Sequence, residues 1–278
     1  MVTARFGLSL RRACRLVGLG RSTQQYRPQP RPDEAPLRQR LRELAEQRRR
    51  FGALRLQVLL RREGWMVNHK RTERLYRIEG LALRRRKHPK RAAGIRVTLP
   101  RPTRPNERWS MDFLHDQLED GRRFRVLTMV DDYSRECPAL VADTSLPGVR
   151  VVEVLDRLAE TRGLPQRITI DNGPEFAGSA LDAWAYRRGV QLHFIEPGHP
   201  TQNAYVESFN GKVRDECLNE HWFLTLEEAR RRIEAWRQDY NTCRPHSSLG
   251  DLTPAEFAKT ELLSHDQATQ TLYLPVAQ

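Results

Sequence analysis

Three carboxylates, each in its own short motif, constrain the fold of this chain more than any other feature. They are Asp112 in Trp-Ser-Met-Asp-Phe, Asp171 in Ile-Asp-Asn-Gly-Pro-Glu-Phe and Glu207 in Tyr-Val-Glu-Ser-Phe-Asn. The patterns around the two aspartates predict strands, whereas the segment around the glutamate predicts a later helix. Two strand aspartates and one helical glutamate that converge can bind a pair of divalent ions, the arrangement used for in-line phosphodiester chemistry.

Each carboxylate alone has a simpler interpretation, because a strand aspartate is usually a turn or salt-bridge residue and a helical glutamate is usually solvated. Asp112, however, lies between two apolar residues, where an ionised carboxylate is costly without a partner or cation. Asp171 begins an Asp-Asn-Gly turn at a strand's carboxyl end, where open α/β sheets commonly bind ligands. Other carboxylates lie nearby in the sequence: Asp116, Asp131, Asp132 and Glu175. Of these, Asp131 and Asp132 have the pattern of a strand-end turn.

The helix that carries Glu207 has further polar residues on the same face. Asn210, Gly211 and Arg214 follow the glutamate at intervals of three, four and seven residues, so they share its face. An arginine there can bind a phosphate through two parallel hydrogen bonds. We therefore expect Asn210 and Arg214 to contact DNA, and Lys212, which lies off this face, to contribute less.

Charge is segregated along the chain. Residues 1–105 contain 29 Lys and Arg and 7 Asp and Glu, a net charge of +22, whereas residues 106–278 have a net charge of −9. A solvated charged surface would mix the two signs, so this segregation favours a polyanionic partner for the first half. The acidic second half would repel DNA unless metal ions neutralise its site.

The basic half has the pattern of a small helical module. Short helices are predicted within residues 9–26, and longer ones follow at 37–50, at 52–64 and after a capping Asn68. A helix, a tight turn and a second basic helix suit binding to a DNA groove or backbone, although an ordinary charged helical hairpin is the alternative. The predicted DNA contacts in this module are cationic: Lys70, Arg71, Arg74, Arg84, Arg85 and Arg86.

The pattern changes to α/β after a proline-rich linker. Strands are predicted at 109–116, 124–130, 137–141, 167–170 and 190–195. Helices are predicted at 149–158, 176–188, 202–218 and 225–240. This order predicts a mixed sheet covered by helices. The predicted domains are a helix-turn-helix-like DNA-binding module at 1–86, a linker at 87–107, a catalytic domain at 108–260 and a tail at 261–278.

Composition argues against several classes of protein. The mean hydropathy is −0.70 and there is no run of about 18 apolar residues, so no membrane span is expected. The N-terminus lacks the features of a secretory signal. The four cysteines contain no Cys-x-x-Cys pair, which argues against a structural zinc site. We expect a cytoplasmic protein with reduced thiols.

The motifs together resemble the OrfB-type transposases of the IS-three family of bacterial insertion sequences, whose catalytic core is similar to that of retroviral integrases. The matching segments are residues 109–113, 171–176, 197–218 and 240–254. The resemblance implies an RNase H-like integrase core with a mixed five-stranded sheet. It also implies that Asp112, Asp171 and Glu207 are the catalytic residues and bind two Mg²⁺ ions, with Mn²⁺ as a substitute.

The chain departs from the family pattern at three places outside the three carboxylates. Relatives commonly have Phe-Gly-Tyr-Arg-Arg where this chain has Ala53 and Leu54 after Phe-Gly. An aromatic residue often replaces Gln24, and many relatives have lysine at His199. The first two departures concern packing of the helical module, and the third concerns one phosphate contact.

The resemblance implies a DDE transposase subunit that cleaves DNA and transfers strands during transposition. Its expected partners are the element's ends, target DNA and further copies of itself, in the bacterial cytoplasm and on the nucleoid. Active relatives are typically frameshifted fusions, so an upstream-frame protein with a helix-turn-helix and a leucine zipper is a further expected partner. The alternatives are a catalytically inactive DNA-binding regulator that retains the fold and a purely hydrolytic nuclease of the RNase H type.

Overall fold

The computed structural model describes residues 7–26, 32–83, 100–171, 173, 176, 178–196 and 203–260. The N-terminal helices are α1 (Leu10–Leu16), α2 (Arg21–Gln25), α3 (Glu34–Gln47), α4 (Ala53–Arg62) and α5 (His69–Ile78). The strands are β1 (Arg108–Gln117), β2 (Arg123–Asp131), β3 (Leu140–Asp143), β4 (Arg167–Ile170) and β5 (Gln191–Phe194). The later helices are α6 (Gly148–Thr161), α7 (Ser179–Arg188), α8 (Ala204–Glu216) and α9 (Leu226–Thr242). Single 3₁₀ turns at Leu218–Glu220 and Ser247–Leu249 and a helical segment at 254–260 complete the described chain.

Helices α3, α4 and α5 form the core of the helical module. Leu37, Leu41 and Leu44 recur at helical spacing and are buried on one face of α3. They pack with Leu56 and Leu60 of α4 and with residues of α5. Asn68 caps α5 as predicted, because its side chain accepts a hydrogen bond from the Lys70 N–H at 3.0 Å.

The sheet has five strands in the order β3-β2-β1-β4-β5, with β1 in the centre. β1 is antiparallel to β2 and parallel to β4, so the predicted mixed sheet is confirmed. Side chains alternate along β1, and Trp109 and Met111 face a core shared with α6 and α7. Leu114 faces the opposite core, which α8 and α9 cover. Asp112 therefore lies in a central strand, on the side of the sheet that faces α8.

The helix predicted at 37–50 lies at Glu34–Gln47, and two further differences have an identifiable cause. The third strand was expected at 137–141 but lies at Leu140–Asp143. Pro138 has no N–H for a ladder, and the Cys137 N–H and C=O bond to the Asn241 side chain on α9 instead. Helix α7 was expected from Phe176 but begins at Ser179. Phe176 lies in a turn, where its ring stacks on Phe113 at a centroid distance of 4.8 Å.

The helical module contacts the catalytic part through ion pairs. The connections include Arg48 with Asp239, Arg50 with Asp215, Arg55 with Glu216 and Arg62 with Glu256. In each pair the arginine belongs to the module and the carboxylate belongs to α8, α9 or segment 254–260. Part of the charge segregation in the sequence thus serves contacts within the molecule.

The structure bears on two expectations, the absence of a membrane span and the reduced state of the cysteines. None of the described helices is both long and apolar enough to span a bilayer. The four cysteines all lie within the described residues, and each is a free thiol.

Candidate active site

Asp112 lies on β1, and Asp171 directly follows the last residue of the neighbouring strand β4. β1 and β4 pair in parallel, with Ser110 opposite Thr169. Extending this register by two residues sets Asp112 opposite Asp171, and the alternation of side chains puts both on the same face. The Asp171 side chain also accepts a hydrogen bond from the Gly173 N–H at 3.2 Å, which stabilises the predicted turn.

Helix α8 covers this face of the sheet. Its buried residues are Val206, Phe209, Asn210 and Val213. Asn210 Nδ2 donates to Asp112 Oδ2 at 2.7 Å. At the helix start, Asn203 Nδ2 donates to the Met111 carbonyl at 3.4 Å. These two amides fix α8 on β1, and Glu207 lies exposed one turn before Asn210.

The three carboxylates share one electrostatic environment. Burial, followed by repulsion from Asp171 and Glu207, raises the pKa of Asp112 to about 6. Hydrogen bonds from the Phe113 N–H and from Asn210 oppose this rise in pKa. The structure thus brings the three predicted residues within mutual electrostatic reach.

The oxygen atoms of these side chains are of the type that binds a divalent cation. Carboxylate oxygens are the ligands that Mg²⁺ prefers, and a cation would relieve the repulsion around Asp112. The buried Oδ1 atoms of Asn203 and Asn210 have no hydrogen-bond partner among the described residues, so polar oxygen is available beside the carboxylates. Within the described ranges, however, no three His, Cys, Asp or Glu side chains are arranged closely enough to hold an ion.

The neighbouring carboxylates have local partners. Asp131 Oδ1 accepts from the Tyr133 and Ser134 N–H groups at 2.9 Å, which forms the predicted strand-end turn. Asp132 pairs with Arg108 and accepts from Ser110 Oγ at 2.7 Å. Asp116 Oδ1 accepts from the next N–H along the strand at 2.8 Å. These contacts separate them from the Asp112 site.

Some of the predicted DNA-contacting side chains of the helical module already form ion pairs within the protein. Arg71 binds Asp33 through two hydrogen bonds of 2.7 and 2.8 Å. Arg74 pairs with Glu34 at 2.8 Å, whereas Lys70 is exposed. The acidic residues at the start of α3 thus already engage two of the three cations. The described residues do not include three of the predicted contacts, Arg84, Arg85 and Arg86. They also do not include the linker segment 87–99 or the tail 261–278.

The predicted contacts on α8 point in different directions. Arg214 is exposed, and Gly211 has open space around the position of a Cβ atom. Asn210 is only 6% exposed and bonds to Asp112, so it supports that carboxylate in this structure. Lys212 lies off the Glu207 face, as predicted, and lines a cationic pocket with Arg135. That pocket was missed, although one signal was present in the Arg-Pro-His-Ser-Ser motif.

Comparison with known proteins shows the family of this chain. Residues 102–200 and 188–254 each match a family described as "Integrase core domain", and residues 32–89 match one described as "HTH-like domain". The chain is 53% identical over 257 residues to the "Insertion element IS407 uncharacterized 31.7 kDa protein" of Burkholderia multivorans, which covers 92% of this chain and 93% of that one. It is 25% identical over 228 residues to the "Transposase InsF for insertion sequence IS3A" of Escherichia coli, covering 77% and 79%. The chain belongs to the IS-three family of insertion-sequence transposases.

The transposase also resembles a solved integrase assembly. A chain of the simian T-cell lymphotropic virus intasome in complex with PP2A regulatory subunit B56 gamma matches with a TM-score of 0.53 and 16% identity, covering 78% of this chain and 74% of that one. At this identity the match shows the fold alone, and it confirms the predicted integrase-type core. The family, the integrase core and the HTH-like domain together define an enzyme of DNA transposition with a DNA-binding module.

Proposed function

We propose that this transposase cleaves DNA at the ends of its insertion sequence and joins those ends to target DNA in a divalent-metal-dependent reaction. Asp112, Asp171 and Glu207 are the proposed metal ligands. One geometric observation carries the proposal: Asp112 on the central strand, Asp171 directly after the adjacent strand and Glu207 on the covering helix are close enough for the other two carboxylates to repel Asp112. A cation would relieve this repulsion, and carboxylates clustered in this way are typical of functional sites.

The protein's own groups have separate roles in this reaction. Asp112, Asp171 and Glu207 would hold Mg²⁺, and the bound metal would supply activation of the attacking water or 3′-hydroxyl and stabilisation of the leaving oxygen. Asn210 orients Asp112 through its 2.7 Å hydrogen bond. The turn bond from the Gly173 N–H orients Asp171. Arg214, exposed on α8, contacts a phosphate of the bound strand. The protein needs no covalent intermediate with DNA.

In this proposal, DNA binding and catalysis belong to different segments of the chain. Residues 1–86 form the DNA-binding module, 87–107 the linker, 108–260 the catalytic domain and 261–278 a tail. Exposed Lys70 is the module's clearest DNA contact among the described residues. Two copies of the transposase hold the two element ends, and an upstream-frame protein supplies additional sequence reading.

The reaction itself tests this proposal. The full chain is incubated with labelled element-end DNA, target DNA and Mg²⁺, and cleaved and joined strands are separated by length. We expect both products, and we expect none when Mg²⁺ is chelated. Asp112→Asn should abolish both products while DNA binding persists. Asp116→Asn is the matched control, because it removes one charge from the same strand at a side chain with a local partner.

The outcomes distinguish the proposal from its alternatives. DNA binding without any metal-dependent product would identify a regulator that retains the fold. Cleavage without joining would identify a hydrolytic nuclease. More than about a tenth of wild-type joining by Asp112→Asn, a loss of only about 1.4 kcal/mol in transition-state stabilisation, would remove Asp112 from the metal site.

A further inference from the structure

A cationic pocket of about 430 Å³ lies between the helical module and α8. Among the described residues, its charged lining consists of Arg55, Arg135, Lys212 and Arg244, and no carboxylate lines it. Hydroxyl groups complete the polar lining: Tyr205, Ser208, Tyr240, Ser247 and Ser248. A pocket with several cations, several hydroxyl donors and no acid is suited to an anion.

The guanidinium of Arg135 has a hydrogen-bond donor for which the described residues provide no acceptor. Its backbone is left-handed, with φ of +63°, a conformation that costs energy for a residue with a side chain. Its guanidinium lies 3.9 Å from the centre of the Tyr205 ring. Its Nη1 atom is buried without a hydrogen-bond partner among the described residues. Arg135 thus combines a strained backbone, a guanidinium stacked on a ring and a buried N–H donor without a partner among the described residues. This combination points to a hydrogen-bond acceptor in the pocket.

Lys212 adds a second uncompensated charge. Its Nζ atom donates to the Ser208 carbonyl at 3.1 Å and to Ser208 Oγ at 3.0 Å, both neutral acceptors. Burial, followed by the charge of Arg244, lowers the pKa of Lys212 to about 8. The ammonium group therefore lies in an excess of positive charge, which an anion would relieve.

Arg244 and Arg55 share a single carboxylate. Arg244 is 2% exposed and binds Glu216 through hydrogen bonds of 2.7 and 2.6 Å. Arg55 reaches the same carboxylate at 3.0 Å. Asp132, whose charge also interacts with Arg135, is paired with Arg108. The pocket's cations therefore outnumber the carboxylates that balance them.

His246 stabilises this arrangement without adding charge. Burial, followed by the charge of Arg244, lowers the pKa of His246 to about 3, so the ring is neutral. Its Nδ1 lies 2.9 Å from the Arg244 carbonyl, which makes Nδ1 the protonated nitrogen. Its Nε2 then accepts from Arg244 Nη1 at 3.2 Å. The histidine thus positions the guanidinium.

The location of the pocket identifies the anion. Ser208 follows Glu207 directly on α8, and Lys212 lies about one helical turn further along. The pocket therefore adjoins the proposed metal site, on a different side of α8 from Arg214. The volume exceeds that of one phosphate group, and the pocket opens to the surface, so a phosphate of a longer strand can enter it.

We propose that this pocket binds a backbone phosphate of the DNA strand that the active site cuts. Arg135 and Lys212 provide the main contacts, and Arg55 and Arg244 provide the surrounding field. Guanidinium groups suit this role because they bind phosphate oxygens in pairs. The inference rests on the proposed function, since it takes the bound strand to be the substrate strand.

Binding of the full chain to element-end DNA tests the inference. Dissociation constants are measured at several salt concentrations, with Ca²⁺ replacing Mg²⁺ to prevent cleavage. Arg135→Gln and Lys212→Gln should each weaken binding about tenfold and reduce the salt slope by about 0.9, the value of one phosphate contact. The double variant should reduce the slope no further, because both side chains contact the same phosphate. Lys212→Arg should restore the slope.

Arg187→Gln is the matched control. Arg187 is an exposed arginine on α7, which covers the opposite face of the sheet, so this variant makes the same charge change away from the pocket. Its slope should equal that of the wild type. Thermal unfolding of every variant shows whether it is folded, and the helical Lys212→Gln decides the result if Arg135→Gln does not fold.

Neutral methylphosphonate groups, placed at one phosphate at a time, locate the contact. One position near the cleavage site should weaken wild-type binding and leave Lys212→Gln binding unchanged. Equal effects of every position on both proteins would overturn the inference. Binding of inorganic phosphate in the pocket with no sensitive DNA position would identify a free-anion site instead.

A parallel joining reaction with Mg²⁺ separates the two proposals. A wild type that joins strands, with equal salt slopes in all variants, overturns the pocket and leaves the proposed function intact. A wild type that binds DNA but makes no product overturns the proposed function.

Discussion

At the scale of single residues, the site depends on how Asp112 is surrounded. It has a pKa of about 6, so burial and two neighbouring carboxylates act on it more strongly than its two hydrogen bonds. Asn210 Nδ2 donates to its Oδ2 atom at 2.7 Å. An amide at this position supports Asp112, the proposed metal ligand, without adding another negative charge.

Loss of this amide should impair the reaction more than it impairs DNA binding. Asn210→Ala removes the support of Asp112, and removing such a support typically costs about 10–100-fold in activity or metal affinity. Single-turnover joining should fall by that factor, and raising the Mg²⁺ concentration should recover part of the loss. Unchanged joining would show that Asn210 does not orient Asp112.

His246 should make stability depend on pH. Its pKa falls from the usual value of 6.5 to about 3 in the folded protein, so the unfolded chain binds a proton that the folded chain does not. The stability contribution is complete above pH 6.5 and is lost as the pH falls towards 3. Between these values the free energy of unfolding of the wild type should change by up to about 1.4 kcal/mol per pH unit more than that of His246→Gln. Urea unfolding at several pH values measures this difference, and equal slopes would contradict it.

At the scale of elements, α8 organises the site. Val206, Phe209 and Val213 are buried against the sheet, and this packing sets the direction of the helix's other faces. One face carries Glu207 and Asn210 to Asp112, another exposes Arg214, and a third directs Lys212 into the cationic pocket. In the proposed reaction, this single helix combines metal binding with two kinds of phosphate contact.

Arg214 should act on the strand and leave the metal site unchanged. Arg214→Ala should lower joining about tenfold, a loss within the range of hydrogen bonds to charged groups. Arg214→Lys should restore only part of it, because lysine cannot form the paired contact. Metal affinity, measured with Mn²⁺, should match the wild type. Wild-type joining kinetics in Arg214→Ala would exclude a role for this residue in the site.

The sequence was informative wherever a local pattern determined the outcome. Strand periodicity placed Asp112 on a strand and Asp171 directly after one, and the cap at Asn68 forms as predicted. The third strand was predicted at the wrong residues because a side chain from α9 bonds the Cys137 backbone in place of the sheet. The Arg-Pro-His-Ser-Ser motif was a signal for one wall of the cationic pocket, but the whole pocket could not be predicted, because tertiary packing brings together Arg55, Arg135 and Arg244 from distant parts of the chain.

At the scale of the whole molecule, charge serves two purposes. The net charge of +22 over residues 1–105 indicated a DNA-binding surface, yet arginines of α4 and of the connection between α3 and α4 pair with carboxylates of the catalytic part. Arg48 with Asp239 is an example in which both side chains are partly buried, at 31% and 23% exposure. Counting charges along the sequence therefore overestimates how many cations are available for DNA.

A charge-reversal cycle tests this connection. Arg48→Glu should destabilise the protein by placing two carboxylates together, and adding Asp239→Arg should restore stability. The coupling energy from unfolding midpoints should be about 0.5–1 kcal/mol, since the pair is only partly buried. It should shrink as salt increases. A coupling energy of zero at low salt would show that the pair does not stabilise the contact between the module and the catalytic part.

The central claim is that Asp112, Asp171 and Glu207 bind two divalent ions together. Paramagnetic resonance of Mn²⁺ titrated into the complex of the full chain with element-end DNA measures this directly. The wild type and Asp116→Asn should each bind two ions per active site. Asp112→Asn, Asp171→Asn and Glu207→Gln should each lose high-affinity binding of at least one ion, and double variants should be no worse in joining than single ones. Two tightly bound ions in any of these three variants would contradict the claim.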